Sequence, residues 1–371
     1  PEQCDRENLN EATCHSINPD NYEGVGTLSC SASCEFDTSA CASCGDGVMN
    51  GPETCDATDL AGAATCGEMG YPGGVATCSA DCATIDYSSC NKWVAVSAGA
   101  QHTCAIDSLG RIWCWGEGGN GRLGYGLLND EHSPIMIPSI PPSGFSLSAW
   151  RDHTCAVLDD GSAMCWGAGN NGKLGVGDEQ DRSAPEGVLN TGQGFVQISA
   201  GDDHTCAVHS SGFLSCWGMG ARGRLGNCSL ADSSTPVYVY GACGSDPPYV
   251  ATSLRVEAGE MHTCTNTGYG VRCWGGNTLG QVGNDTNNDS DYADMVQVAG
   301  GVTNFSVGSN HTCAFNSISG RVFCWGSNSN GQLADWEADP NRVYASSAKT
   351  FDGGGFMVDM EGVASLTCGA D

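Results

Sequence analysis

Residues 102–116 read His102-Thr103-Cys104-Ala105-Ile106-Asp107-Ser108-Leu109-Gly110-Arg111-Ile112-Trp113-Cys114-Trp115-Gly116, and this stretch decides the fold because it recurs. His-Thr-Cys returns at His153, His204, His262 and His311, in steps of 51, 51, 58 and 49 residues. A Cys-Trp-Gly follows each time, at Trp115, Trp166, Trp217, Trp274 and Trp325. A period near fifty residues suits a propeller blade better than a helical solenoid. Within one unit, Val94-Ala95-Val96-Ser97 is β-rich and Gly99 ends it. Residues 103–106 and 112–115 flank a turn of hairpin composition, and a proline-bearing strand such as Ser133-Pro134-Ile135-Met136-Ile137 closes the unit as an edge. About four short strands per unit is a blade.

Working outward, the composition agrees. The 371 residues include 54 glycines and only 15% charged side chains, which suits turn-rich β structure rather than long solvated helices. A formal net charge of −29 repels phosphate backbones and anionic lipid, so nucleic acid and direct membrane insertion are not expected. The 24 cysteines point to an oxidising setting, extracellular or on the cell surface.

A second, shorter repeat fills the first ninety residues. Pro1-Glu2-Gln3-Cys4-Asp5 matches Pro52-Glu53-Thr54-Cys55-Asp56, and Cys30-Ser31-Ala32-Ser33-Cys34 matches Cys78-Ser79-Ala80-Asp81-Cys82. With few large apolar residues, disulfides must replace a core here. The chain thus divides into cysteine-rich repeats at 1–41 and 42–91 and a propeller at 92–371.

These motifs carry two resemblances. The first region resembles cysteine-rich repeats found in multiples in large secreted and surface proteins of myxobacteria. From Trp93 onward the units resemble the regulator-of-chromosome-condensation repeat, whose family forms β-propellers, usually seven-bladed. The fold class expected is therefore all-β: a propeller of four-stranded blades, five units plus the start of a sixth, seven when complete, behind a loop-dominated disulfide region. The chain departs from the family's nuclear exchange factor in being acidic and disulfide-laced. The resemblance implies a binding platform and no catalytic chemistry.

The two cysteines of each blade are symmetric about the hairpin turn, within disulfide reach across an antiparallel pair. The expected pairs are Cys104–Cys114, Cys155–Cys165, Cys206–Cys216, Cys264–Cys273 and Cys313–Cys324, with Cys228 and Cys243 stapling an insertion. Metal is the rival reading at Cys41-Ala42-Ser43-Cys44, which has zinc or redox spacing. The five histidines would form a ring. Either they make an axial metal or anion site, or each bonds a neighbouring blade's backbone, and the second is preferred because a ring of blades holds equivalent atoms too far apart for one ion. The five tryptophans are read as blade-packing indoles, with a sugar-stacking face as the alternative. Asp285, Asn287, Asp289 and Asp291 place oxygens at alternate positions and form a candidate calcium loop, the one cofactor expectation. Glycosylation sequons begin at Asn227, Asn284, Asn288, Asn304 and Asn310.

No nucleophile elbow, phosphate loop or His-Glu-x-x-His occurs, so an enzyme is not expected. The leading functional expectation is an extracellular structural or adhesive protein, a disulfide-stapled stalk presenting a propeller that binds other proteins or itself. A secreted inhibitor covering a partner enzyme is the alternative, and a carbohydrate-binding propeller a third. Both repeat registers break mid-unit: Pro1 aligns with Pro52, and residues 358–368 restart a unit with Leu366 in the histidine's place. The chain is accordingly expected to be an internal piece of a longer protein. The rival reading is a bridge from Cys368 to an N-terminal cysteine.

Overall fold

A computed structural model describes residues 65–79 and 84–348, apart from 190–191, 245–252, 268–269, 297, 299–300 and 335–340, with scattered residues outside these limits. The chain separates into two compact units, Pro1–Trp93 and Val94–Asp371.

Among the described residues of the second unit are five four-stranded antiparallel sheets, each with its strands in chain order. Blade 1 comprises Trp93–Ala98, His102–Asp107, Ile112–Gly116 and Glu131–Met136. Blade 2 comprises Gly144–Trp150, His153–Leu158, Ala163–Gly167 and Arg182–Gly187. In blade 3 the strands are Phe195–Ala200, His204–His209, Leu214–Gly218 and Ser233–Tyr238. Blade 4 runs through Ser253–Ala258, His262–Thr267, Gly270–Gly275 and Ser290–Met295, and blade 5 through Val302–Val307, His311–Asn316, Arg321–Ser327 and Asn341–Ser347. The first strands of all five blades line one axial cavity of about 450 Å³, through residues such as Ser97, Ser148, Gln197, Glu257 and Ser306. That shared lining makes the sheets blades around a channel.

The local chemistry explains the strands. Asp107 holds its turn by accepting the Leu109 and Arg111 amides at 2.9 and 3.0 Å and the Trp113 indole N–H at 3.0 Å. Pro134, Pro185 and Pro236 fall where the fourth strand breaks register with the third, the edge position where a missing N–H costs nothing. Between blades lie separate apolar clusters. One gathers Ile106, Ile112 and Leu123 of blade 1 with Trp166 of blade 2, and another gathers Val256 and Trp274 of blade 4 with Leu225 of blade 3. The core is thus a series of seams rather than a centre.

The first unit has short two-stranded pairings, including Thr77–Cys78 with Ile85–Asp86. Disulfides join Cys55 to Cys78 and Cys66 to Cys90, and a small cluster of Leu60, Tyr71, Ile85 and Tyr87 packs on the second. Cys44 lies outside the described residues, so the Cys41–Cys44 reading does too.

At the far end, Met357–Asp359 pairs with Lys349–Phe351 as a two-stranded hairpin; residues 360–367, on which the restart of a unit was expected, lie outside the described residues. Cys368 forms no disulfide. Its thiol donates to the Ser306 carbonyl at 3.2 Å, and burial pushes that thiol up to about 11.

Candidate functional site: blade seams and propeller faces

The recurring residues meet at the seams. In blade 1, Cys104 and Cys114 are direct cross-strand partners with Cα atoms 4.1 Å apart and a sulfur–sulfur bond. The same holds for Cys155–Cys165, Cys206–Cys216, Cys264–Cys273 and Cys313–Cys324, with Cα separations of 4.0–4.2 Å. Cys228 bonds Cys243, closing a loop of 15 residues. Each blade hairpin is therefore cross-linked at its middle.

The histidines join neighbouring blades, but through a side chain rather than the backbone expected. Nε2 of His102, His153, His204 and His262 lies 2.7–2.9 Å from the threonine hydroxyl of the next blade's motif: Thr154, Thr205, Thr263 and Thr312. His311 occupies the equivalent position of blade 5, opposite Gly326. The Thr205 hydroxyl donates to the Lys173 carbonyl at 2.8 Å, so it must accept from Nε2–H of His153. That fixes the neutral tautomer and leaves Nδ1 of His102, His153 and His204 buried without a partner. Burial, then the nearby Arg122 guanidinium, pushes His102 down to about 4. Burial, then the Lys173 charge, also lowers His153 well below the ordinary value, and burial, then Arg224, lowers His204. The imidazoles are distributed along the seams, and among the described residues no three His, Cys, Asp or Glu side chains converge to hold a metal.

Trp166, Trp217, Trp274 and Trp325 are 0% exposed, so none of these four can stack on a sugar. Three of these indoles donate to a carbonyl of the preceding blade at 2.9 Å: Trp166 to Arg122, Trp274 to Arg224, and Trp325 to Gln281. Gly175 shows how tight the fit is. Its φ is +71°, and an added Cβ would lie 2.7 Å from the Trp217 indole nitrogen. Trp115, in blade 1, is only half-buried.

Two recurring elements escaped the reading of the sequence. The fifth residue of each inner strand accepts a backbone N–H, which in blades 1–4 comes from the next inner strand and in blade 5 from Cys368. Ser97, Ser148 and Ser199 take Ala149, Ala200 and Ala258 at 2.9 Å. Glu257 takes Val307 at 2.9 Å, and Ser306 takes Cys368 at 3.0 Å. Secondly, an aspartate closes the loop after the Trp-Gly of blades 1–4. Asp130, Asp181, Asp232 and Asp289 accept the N–H of Gly118, Gly169, Gly220 and Asn277 at 2.8–2.9 Å. Three of the four residues of the expected calcium loop have such backbone or loop roles. Asp289 is the loop-closing aspartate of blade 4, and its other oxygen faces Arg222 at 3.4 Å. Asp285 sits at φ 64°, where its N–H donates to Val343, and the Asp291 carbonyl accepts from Cys228. Among the described residues, Asp285, Asp289 and Asp291 form no group of three carboxylates that could hold a metal ion.

A buried cation ties blades 2 and 3. Lys173 is nearly inaccessible, and its Nζ reaches Asp152 at 2.8 Å, Asp203 at 3.3 Å and the Asp202 carbonyl at 3.2 Å. Lys173→Met keeps the aliphatic stem and leaves both carboxylates without their cation. We expect a loss of about 2–3 kcal/mol in urea denaturation, less than a fully buried pair because both carboxylates keep some water. Adding Asp152→Asn should recover part of it, and an unchanged midpoint for Lys173→Met would show the contact to be idle.

The two faces of the propeller differ. Hairpin turns and inner-strand starts share one face, as the bonds from Gly144 N to Gly110 O, Phe195 N to Gly161 O and Ser253 N to Gly212 O show. Leu109, Phe145, Val196, Leu254 and Ile318 are exposed there. The opposite mouth of the channel carries charge: Arg151 meets both oxygens of Asp202 at 2.9 Å, with Glu260 nearby.

The model of the regulator of chromosome condensation (RCC1) repeat matches residues 110–157 and 160–208, and a second form of it matches 93–122, 195–224 and 302–332. The ultraviolet-B receptor UVR8 of Arabidopsis thaliana is 33% identical over 266 residues, 70% of this chain and 58% of that protein. The human E3 ubiquitin-protein ligase HERC2 is 33% identical over 231 residues, 60% of this chain and 5% of that protein. The chain therefore spans little more than half of the first relative and a small part of the second. Human WBSCR16 superposes with a TM-score of 0.63, covering 76% of this chain and 71% of that one. Yeast RCC1 (Prp20), crystallised bound to Kap60, gives 0.60 over 75% and 66%. Both are 20% identical to this chain, so the likeness is one of fold. Residues 93–157, 160–224 and 302–332 thus match the regulator-of-chromosome-condensation repeat, in a chain whose four-stranded sheets are folded as the blades of a β-propeller.

Proposed function

We propose that this chain is an extracellular, non-catalytic binding platform of the cell surface, whose propeller holds a protein partner in a structural or adhesive role. One observation carries the reading. The residues that recur from blade to blade, namely the motif histidines, threonines, cysteines and tryptophans and the loop-closing aspartates, are largely bonded into hairpins and seams. What varies around the ring is the exposed surface of its faces, and variable surface on a rigid scaffold is where partners bind. Yeast RCC1, of like fold, was crystallised with a protein partner, Kap60. The cross-linked hairpins suit an oxidising compartment. A net charge of −29 disfavours close self-assembly and favours a different protein as partner.

The test uses the full chain. Fractionation of the native producer should find it outside the cytosol, with the blade cysteines resistant to alkylation before reduction. Cross-linking on intact cells, followed by mass spectrometry, should give saturable contacts to a protein through one propeller face. A cytosolic, fully alkylated chain, or one with no saturable protein contact, would overturn the proposal.

A further inference from the structure

We infer that the turn face of blades 2 and 3 forms a docking groove for a partner polypeptide that presents a large apolar side chain beside lysine or arginine; the inference rests on the platform reading above. The groove arises from backbone irregularity. The inner strand of blade 2 shifts register against its neighbour between Gly144 and Ser146, and that of blade 3 between Phe195 and Gln197. Each shift leaves one extra, unpaired residue, a bulge that turns its side chain outward. Those residues are Phe145 and Val196, which are 62% and 39% exposed. Both line one groove, so together they offer a partner contiguous apolar area to bury.

Between them the floor is bare backbone. Gly161 and Gly194 face one another so closely that a Cβ on Gly161 would lie 3.0 Å from the Gly194 Cα. The resulting groove holds about 470 Å³. Asp159 and Asp160 stand exposed at its rim, and no Lys or Arg is among its described lining residues. Asp160 accepts hydrogen bonds from the Ser162 hydroxyl and amide, which hold its carboxyl below the usual carboxylate range and therefore ionised.

Charge complementarity selects the occupant. A second copy of this chain would bring −29 against −29 and more carboxylates to the rim. An apolar segment flanked by cations fills the groove between Phe145 and Val196 and meets Asp159 and Asp160 with opposite charge. Leu109 and Ile318, exposed at other turns of the same face, extend its apolar character.

The experiment measures anisotropy of a fluorescein-labelled peptide, Lys-Lys-Phe-Leu-Lys-Lys, with the full chain at physiological salt. Saturable binding is expected, weaker by about tenfold or more in Phe145→Ser/Val196→Ser and in Asp159→Asn/Asp160→Asn. Leu127→Ser/Leu128→Ser, outside the groove, should bind as the wild type does. Circular dichroism of each variant checks folding. Equal binding by Phe145→Ser/Val196→Ser overturns the inference. So does equal binding of Lys-Lys-Ser-Gly-Lys-Lys, which would mean diffuse attraction to an acidic protein, or no binding at all. Those results leave the platform reading in place if cell-surface cross-links map to another surface. Absence of any protein contact on cells is the separate failure of that reading.

Discussion

At pH 4.5 the propeller is expected to unfold in markedly less urea than at pH 7.5, with the loss beginning near pH 6.5. His102, His153 and His204 are neutral in the fold, each with a buried Nδ1 that has no acceptor for a second proton. In the unfolded chain the same imidazoles take up protons near the ordinary value of about 6.5. Between that value and the depressed folded one, the unfolded state binds more protons, so stability falls as the pH falls. For His102, held down to about 4, the contribution by pH 4.5 is roughly 2–3 kcal/mol. His153 and His204 add in the same sense. Glu257 acts oppositely, because burial raises its carboxyl and the folded state takes its proton first, but it is one group against three. Fluorescence-monitored urea titrations at several pH values measure the slope. His153→Gln, which keeps an amide donor toward Thr205 and cannot titrate, should make the slope shallower. A midpoint unchanged across this range would contradict the neutral, seam-bound imidazoles.

Trp274→Ala is expected to cost about 3–5 kcal/mol, a large share of the roughly 5–15 kcal/mol that holds a typical domain. Its indole is inaccessible, packs with Val256 and Leu225, and donates to the Arg224 carbonyl at 2.9 Å. Removal opens a cavity between blades 3 and 4 and weakens the satisfaction of that carbonyl, which keeps the longer bond from the Thr263 hydroxyl at 3.4 Å. Trp115→Ala, at the half-buried equivalent in blade 1, should cost about 1–2 kcal/mol by the same area argument. Thermal or urea unfolding of the two variants gives the comparison. Equal losses would mean that the seam is not where the indoles act.

Much of this architecture is readable from one unit and its copies. Hairpin composition at 107–110 and prolines in the last strand of blades 1–3 follow from what a backbone tolerates locally. The seams are harder to read, because a repeat shows which residues are equivalent and not which neighbour each one touches. His153 was legible as structural, yet its partner Thr205 lies 52 residues away, on a strand brought near only by ring geometry. The inner-strand serines look like ordinary polar positions until Ser148 is seen to accept from Ala200. Asp289 misleads in a different way. Read within residues 285–291 it belongs to an alternating oxygen pattern, whereas aligned with Asp130, Asp181 and Asp232 it is a loop closure at constant spacing.

The sequence by itself determined the blade: its period, its strand-turn-strand hairpin, and the placing of Cys155 against Cys165, since all of these depend on short-range geometry and antiparallel pairing. Only the tertiary structure decided what lies between blades and what remains outside. Whether Phe145 is buried or exposed depends on a one-residue bulge, and whether Trp274 is a binding surface or a core depends on the loop of the preceding blade packing over it. Both are set by how neighbouring sheets meet, and contacts between segments fifty residues apart leave no periodic trace in either segment alone.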